Sequence, residues 1–131
     1  AILALDKKTG KKVWQSAELK DGAGYASILA ADVAGVRQYI TQTAKAAVGV
    51  RASDGKLLWR VDDLKRNVAV IPTPVVDGNL VFFTSGYGAG CELIKLEKDG
   101  DGVKATAEYT KNPTVANHHG GVIRVGDKVY G

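Results

Sequence analysis

The residues best suited to chemistry are Asn117, His118 and His119, which precede two glycines and include both histidines of the 131-residue chain. A neutral imidazole is the commonest metal ligand in proteins, so the functional interpretation is a metal or substrate contact. Adjacent side chains on a strand point to opposite faces, so at most one of the two rings would face a given ligand. The alternative is a loop in which a backbone group satisfies one histidine.

A glycine-rich segment, residues 86–91, is the second candidate site and carries Tyr87 and Cys91. Its spacing is superficially that of a dinucleotide-binding loop, but such a loop opens a helix, and residues 92–96 follow a strand pattern instead. We therefore predict a hairpin turn that is about three residues longer than the matching turn earlier in the chain. Tyr87 at its tip would either contact a ligand or cover a neighbouring residue.

Cys91 is the only cysteine, which excludes an intrachain disulfide and a multi-cysteine zinc site. At the start of a strand it is expected to be a small buried hydrophobic residue. A nucleophilic role would require a hydrogen bond to one of the histidines and a third, orienting group. No nucleophile elbow, P-loop or zinc-protease motif occurs, and the sequence predicts no metal site.

Composition and charge restrict the classes of partner. Lys and Arg number 18 against 14 Asp and Glu, and the basic residues are scattered rather than gathered with aromatics on one stripe. Such scatter is not typical of a nucleic-acid-binding surface. No apolar run approaches the roughly 20 residues that cross a bilayer, so no membrane span is predicted.

An internal repeat organises the elements that must position these residues. Segments 4–14 and 49–59 align without a gap, with Gly10 and Gly55 45 residues apart and Trp14 and Trp59 separated by the same distance. A degenerate third copy ends near Tyr109, where an aromatic replaces the tryptophan. A second element recurs at 27–30, 73–76 and 121–124 with a similar period, which predicts a repeat protein.

The runs between turn signals predict an all-β chain. Val, Ile, Tyr, Phe and Trp dominate these runs, and Gly-containing pairs separate them, as hairpin turns require. We predict about twelve strands, four per repeat, near 1–6, 11–16, 26–31, 36–42, 46–51, 56–61, 72–76, 80–85, 91–97, 103–110, 120–125 and 128–131. Four-stranded units of this length are typical of β-propeller blades.

The first copy, Ala4-Leu5-Asp6-x-x-Thr9-Gly10-x-x-x-Trp14, resembles the repeat of the pyrroloquinoline quinone (PQQ)-like β-propeller family. In that family the Asp, Thr and Gly shape the turn between the two outer strands, and the tryptophan packs between blades. The second copy departs from the pattern at Arg51 and Asp54. The resemblance implies structural roles for Asp6, Thr9, Gly10, Trp14, Asp54, Gly55 and Trp59.

The resemblance covers residues 1–131 as part of one propeller domain of about three blade equivalents. It divides the chain into a C–D hairpin (1–16), two complete blades (25–62 and 70–111) and the A–B strands of a further blade (120–131). A closed ring needs about four to eight blades. We therefore expect further blades of the same chain, or a homo-oligomer, to complete the ring, and the absence of methionine favours a fragment.

The resemblance implies two classes of function. The preferred one is a binding or scaffold module that takes a protein or peptide partner, with no catalytic machinery in this segment. The alternative is a fragment of a PQQ-dependent alcohol or sugar dehydrogenase with PQQ and calcium, whose vicinal cysteines and calcium ligands have no match here. No cofactor is evident, enzyme activity is left open, and the family's habit of export leads us to expect a periplasmic location. The predicted ligand-binding residues are Asn117, His118, His119 and Tyr87.

Overall fold

A computed structural model describes residues 1–66 and 68–131. Within these ranges the chain forms twelve β-strands and no helix, which confirms the all-β prediction. No helix of the described ranges is long and apolar enough to cross a membrane. The strands are β1 (Leu3–Leu5), β2 (Lys12–Gln15), β3 (Leu29–Val33), β4 (Val36–Gln42), β5 (Ala47–Arg51), β6 (Leu57–Val61), β7 (Val75–Asp77), β8 (Leu80–Ser85), β9 (Gly90–Asp99), β10 (Gly102–Asn112), β11 (Ile123–Val125) and β12 (Lys128–Tyr130).

The strands form four antiparallel sheets. Two are four-stranded meanders, blade 1 (β3 to β6) and blade 2 (β7 to β10), in which each strand pairs with the next along the chain. The other two are the N-terminal hairpin (β1 and β2) and the C-terminal hairpin (β11 and β12). Four-stranded antiparallel meanders are the units of a propeller, so the predicted class of fold is confirmed.

Two-residue turns join the first two strands of each blade. Ala34 and Gly35 both have positive φ, 53° and 75°, as a type I′ hairpin requires. Gly78 and Asn79 occupy the same turn in blade 2, between the paired residues Asp77 and Leu80. These tight turns fix the register, which places one face of each sheet against the neighbouring sheet.

The main core lies between the two complete blades. Blade 1 contributes Trp59, which is 5% exposed, donates its indole N–H to Gln38 Oε1 at 2.7 Å, and packs edge-on against Phe83 of blade 2. The buried residues of this cluster are Val33, Ile40, Ala47, Trp59, Val81, Phe83, Ile94, Leu96 and Val103. The tryptophan of one blade therefore packs onto the next blade.

The N-terminal hairpin packs onto blade 1 in the same manner. The Trp14 ring lies 6.0 Å from that of Tyr39 and donates its N–H to Ala52 O at 3.0 Å. A Cβ on Gly55 would lie 2.5 Å from Trp14 Cε3, and φ at Gly55 is 75°, so both contact and conformation require glycine. A second cluster fills this interface, formed by Ile2, Leu19, Ala46, Val48 and Val50.

The repeat turn keeps its backbone hydrogen bond although its side chains differ between copies, since the Gly10 amide donates to Asp6 O and the Gly55 amide to Arg51 O. Asp6 Oδ1 also accepts bonds from the Thr9 amide and hydroxyl, both at 2.8 Å, and the Thr9 hydroxyl in particular lowers the pKa of Asp6. In the second copy Arg51 stands in place of the aspartate and Asp54 in place of the threonine, and these two form an ion pair at 3.1 Å. The two substitutions compensate each other.

Strand register identifies the third aromatic of the repeat. Trp14 lies opposite Ala4, Trp59 opposite Gly49, and Tyr109 opposite Leu93. The β9–β10 hairpin is longer than its counterparts, with strands of 10 and 11 residues. Tyr109 lies on the side of blade 2 that faces the C-terminal hairpin, as Trp59 lies on the side of blade 1 that faces the next blade.

Candidate functional site

The structure brings together Tyr87, His118 and His119, which the sequence places in two separate segments. The Tyr87 and His118 ring centroids are 4.0 Å apart in an edge-on arrangement, and those of His118 and His119 are 4.8 Å apart. We call these three residues the ring cluster. Tyr87 lies in the turn after β8, and both histidines lie in the connection from β10 to β11.

The turn that carries Tyr87 is tight. Ser85 pairs with Gly90 in the ladder, so the turn has the four residues 86–89, and the Ala89 amide donates to Gly86 O at 3.2 Å. The matching turn of blade 1, between Gln42 and Ala47, also has four residues. The predicted extension of about three residues is therefore wrong.

Tyr87 adopts a left-handed backbone conformation, with φ of 54°. This region is uncommon for residues other than glycine, asparagine and aspartate, and an aromatic residue there costs of order 1 kcal/mol. The side chain is nevertheless 60% exposed. Tyr87 and Gly88, with φ of 54° and 69°, repeat the pair of positive φ values at Ala34 and Gly35. The turn thus accounts for the backbone conformation, and the exposed aromatic ring is the feature that the turn does not require.

The histidines lie in irregular backbone, so the expected alternation of their side chains along a strand does not apply. Asn117 orders this loop, since its side-chain amide donates to His119 O at 3.0 Å and to Gly120 O at 3.4 Å. Because the backbone folds back on itself, the two imidazoles lie side by side. The two rings are therefore neighbours and do not point to opposite faces of a strand.

Cys91 is buried and does not join the ring cluster. Its thiol donates to Asn112 O at 3.5 Å, and burial raises the pKa of the thiol. A raised pKa keeps the sulfur protonated, whereas a nucleophilic cysteine requires a lowered one. No hydrogen bond joins Cys91 to either histidine in the described part of the chain.

A buried ion pair lies beneath the turns that follow β4 and β8, and it was not predicted from the sequence. Arg66, in the connection from β6 to β7, forms an ion pair with Glu92 of β9, and both side chains are fully buried. Arg66 Nε also donates to Gln42 Oε1 at 3.3 Å, and Gln42 donates to Thr84 O at 3.0 Å. We call Arg66, Glu92 and Gln42 the polar seam, because they join blade 1 to blade 2.

Burial dominates the electrostatics of the polar seam. It raises the pKa of Glu92 and lowers that of Arg66, while the attraction between the two charges opposes both shifts. Glu92 Oε2 has no hydrogen-bond partner among the described residues. Glu92 lies on the same face of β9 as the buried Ile94 and Leu96, two and four residues further on. This two-residue spacing is the sequence signal that could have shown Glu92 to be buried.

A further pocket lies elsewhere, between blade 2 and the C-terminal hairpin. It has a volume of about 360 Å³, and Phe82, Leu93 and Tyr109 form part of its lining. On blade 1, the face that carries Trp59 is covered by blade 2. This pocket therefore lies on a surface that packs against a neighbouring sheet, and it does not include the ring cluster.

The residues present do not fit a PQQ–calcium group. Trp59 is buried between blades, and Trp14 packs on Gly55 and Tyr39, so both indoles are used in packing between sheets. Within residues 1–66 and 68–131, no three His, Cys, Asp or Glu side chains are arranged to hold a metal ion.

Comparison with known proteins identifies the relatives of this fold. A family model described as outer membrane protein assembly factor BamB, of the PQQ-like repeat class, matches residues 1–131. Searches among curated proteins and among solved structures gave no significant match.

Proposed function

Because the chain belongs to the BamB family of PQQ-like β-propellers, we propose that it is a binding module whose ring cluster and Asn117 contact an extended peptide segment of a protein partner. Proteins of this kind offer rigid loops on a sheet framework, and such loops carry binding residues more often than strands do.

One observation carries this proposal, the exposure of the Tyr87 aromatic ring. Exposed aromatic residues are enriched at binding sites because a ring supplies apolar contact area with few rotamers to immobilise. Here two glycines flank Tyr87, and its ring rests against His118.

The chemistry of the ring cluster suits a peptide. Tyr87 and His118 offer apolar ring faces for side chains such as Pro, Leu or Val. Imidazole nitrogens and the tyrosine hydroxyl can donate hydrogen bonds to backbone carbonyls. Aromatic residues alternating with donors are the usual elements of grooves that recognise extended peptides.

The two hairpins add a second kind of partner to the proposal. Leu3 of the N-terminal hairpin and Ile123 of the C-terminal hairpin are 50% and 64% exposed, whereas the blade-to-blade core is buried. We propose that remaining blades of the same protein, or second copies, cover them in a closed ring located in the periplasm. Light scattering distinguishes these cases, since a stable monomer contradicts association between copies.

Selection from a displayed library of random peptides tests the binding proposal. We expect enriched peptides with bulky apolar residues, whose affinity, measured by calorimetry, falls at least about tenfold in Tyr87→Asn. Tyr25→Asn is the matched control, because Tyr25 is an exposed tyrosine in the connection from β2 to β3 and is not part of the ring cluster.

Two results would contradict the proposal. One is a selected peptide whose affinity is lowered equally by both variants, which would indicate nonspecific binding. The other is oxidation of an alcohol or sugar, followed with an electron-accepting dye, after addition of PQQ and calcium. That activity would establish the dehydrogenase alternative.

A further inference from the structure

Gly86 allows the His118 ring to reach Tyr87. A Cβ atom on Gly86 would lie 2.8 Å from His118 Nδ1, 2.9 Å from its Cγ and 3.0 Å from its Cα. Protein interiors are too closely packed to accept such an overlap without movement. Because the Cα is included, the loop backbone would have to move together with the ring.

Backbone conformation does not explain this glycine. Gly88 and Gly90 in the same segment have φ of 69° and 84°, but Gly86 is not among the residues with positive φ. A side chain at position 86 is therefore excluded by the approach of His118 and not by the turn. The contact itself is the reason that glycine is required.

Thr84 holds the same loop from below. The Asn117 amide donates to Thr84 Oγ1 at 3.2 Å. The single Thr84 hydroxyl proton lies between two acceptors, Gly90 O at 3.0 Å and Val115 O at 3.1 Å. Thr84 is 1% exposed, so water does not compete for these bonds. The end of β8 thus contacts the loop backbone on both sides of Ala116, in the segment that leads to the histidines.

We infer that Gly86 and Thr84 are positioning residues, which hold the His118 ring against Tyr87 and so assemble the binding surface before a partner arrives. A surface assembled in advance loses less side-chain and loop freedom on binding, which increases affinity without any new contact. Only the consequence for affinity rests on the proposed function, since the ring contact can be measured in the free protein.

Nuclear magnetic resonance of the free protein tests the positioning role. In the wild type, Tyr87 ring protons should show cross-peaks to the His118 imidazole, and these should disappear in Gly86→Ala. Gly121→Ala is the matched control, because a Cβ there meets no atom within 4 Å and should leave the cross-peaks intact. Thr84→Val should weaken the cross-peaks, and Thr84→Ser, which keeps the hydroxyl, should restore them.

The selected peptides then supply the second measurement. Gly86→Ala should bind them at least about tenfold more weakly than wild type, and Gly121→Ala within about twofold. Cross-peaks that persist in both Gly86→Ala and Thr84→Val would overturn the positioning role. Lost cross-peaks with unchanged peptide affinity would support the positioning role and contradict the proposed function. If Gly86→Ala fails to fold, the Thr84 pair alone decides the question.

Discussion

The turns after β4 and β8 occupy the same place in successive blades and have the same length, yet they are built differently. In blade 1, the Thr43 hydroxyl accepts from the amides of Lys45 and Ala46 at 3.1 and 2.9 Å and donates to Asp21 at 2.8 Å. In blade 2, the turn has one internal backbone bond and presents Tyr87 at its tip.

We call residues 43–46 the structural turn and residues 86–89 the specialised turn. Thr43 is 5% exposed and satisfies backbone groups that would otherwise be buried without partners. Tyr87 instead has an unfavourable backbone conformation and an exposed ring. The same position in the blade therefore satisfies backbone groups in one repeat and presents an exposed aromatic ring in the next.

The largest effect is expected at the polar seam on which both turns rest. Arg66→Met should lower the free energy of unfolding by about 3–5 kcal/mol, because it leaves the buried Glu92 carboxylate unpaired. The double variant Arg66→Met/Glu92→Leu should recover most of this loss. Urea denaturation measures both, and a double variant no more stable than Arg66→Met would contradict the account.

The structural turn should be the next most sensitive. Thr43→Val removes the acceptor for the buried Ala46 amide and the partly buried Lys45 amide, and should lower the free energy of unfolding by about 1–3 kcal/mol. Thr43→Ser keeps the hydroxyl and should lie within about 1 kcal/mol of wild type. Equal losses in the two variants would show that packing of the methyl group, and not hydrogen bonding, holds this turn.

Asp21 should make the stability of the structural turn dependent on pH. Burial acts to raise the pKa of Asp21, but hydrogen bonds from Arg60 and Thr43 outweigh it and hold the pKa below the ordinary 3.8. A carboxyl with a lowered pKa stabilises the fold above its ordinary pKa and loses that effect as the pH falls through the folded value. Asp21→Asn should therefore be less stable than wild type by about 1 kcal/mol at pH 6.

The difference between Asp21→Asn and wild type should shrink below pH 3.8. Thermal unfolding over this range measures it. A difference that is constant with pH would mean that the Asp21 carboxylate does not stabilise the turn.

The smallest change in stability is expected at the specialised turn. Asparagine tolerates the left-handed conformation of Tyr87, and this gain offsets the lost ring contact with His118, which is worth about 0.5–1.5 kcal/mol. Tyr87→Asn should thus lie within about 1 kcal/mol of wild type in urea denaturation. A loss as large as that in Thr43→Val would make Tyr87 a structural residue.

The sequence predicts the framework well because the framework repeats. The period in the middle forties and the spacing of the Gly and Trp residues locate the strands. Tyr109, which is not a tryptophan, is located by its pairing with Leu93. The length of the turn after β8 could not be predicted in this way, because the additional residues of this repeat lie in the long β9–β10 hairpin.

The contacts of the site do not repeat and could not be predicted in this way. Tyr87 and His118 meet because the β10–β11 connection folds onto the end of β8, which depends on the Thr84 and Gly86 contacts. The side-by-side histidines depend on an irregular backbone, to which strand periodicity does not apply. In the sequence, Arg66 and Glu92 resemble ordinary surface charges. Their ion pair joins a connection to a strand of the next blade, and no local pattern indicates such a contact.

A map of amide shifts by nuclear magnetic resonance, recorded while a selected peptide is added, shows where the peptide binds. We expect the perturbed residues to be Tyr87, His118, His119 and Asn117, with residues 43–46 of the structural turn unchanged. Perturbations confined to the pocket around Leu93 and Tyr109, or to residues 43–46, would contradict the proposed binding site.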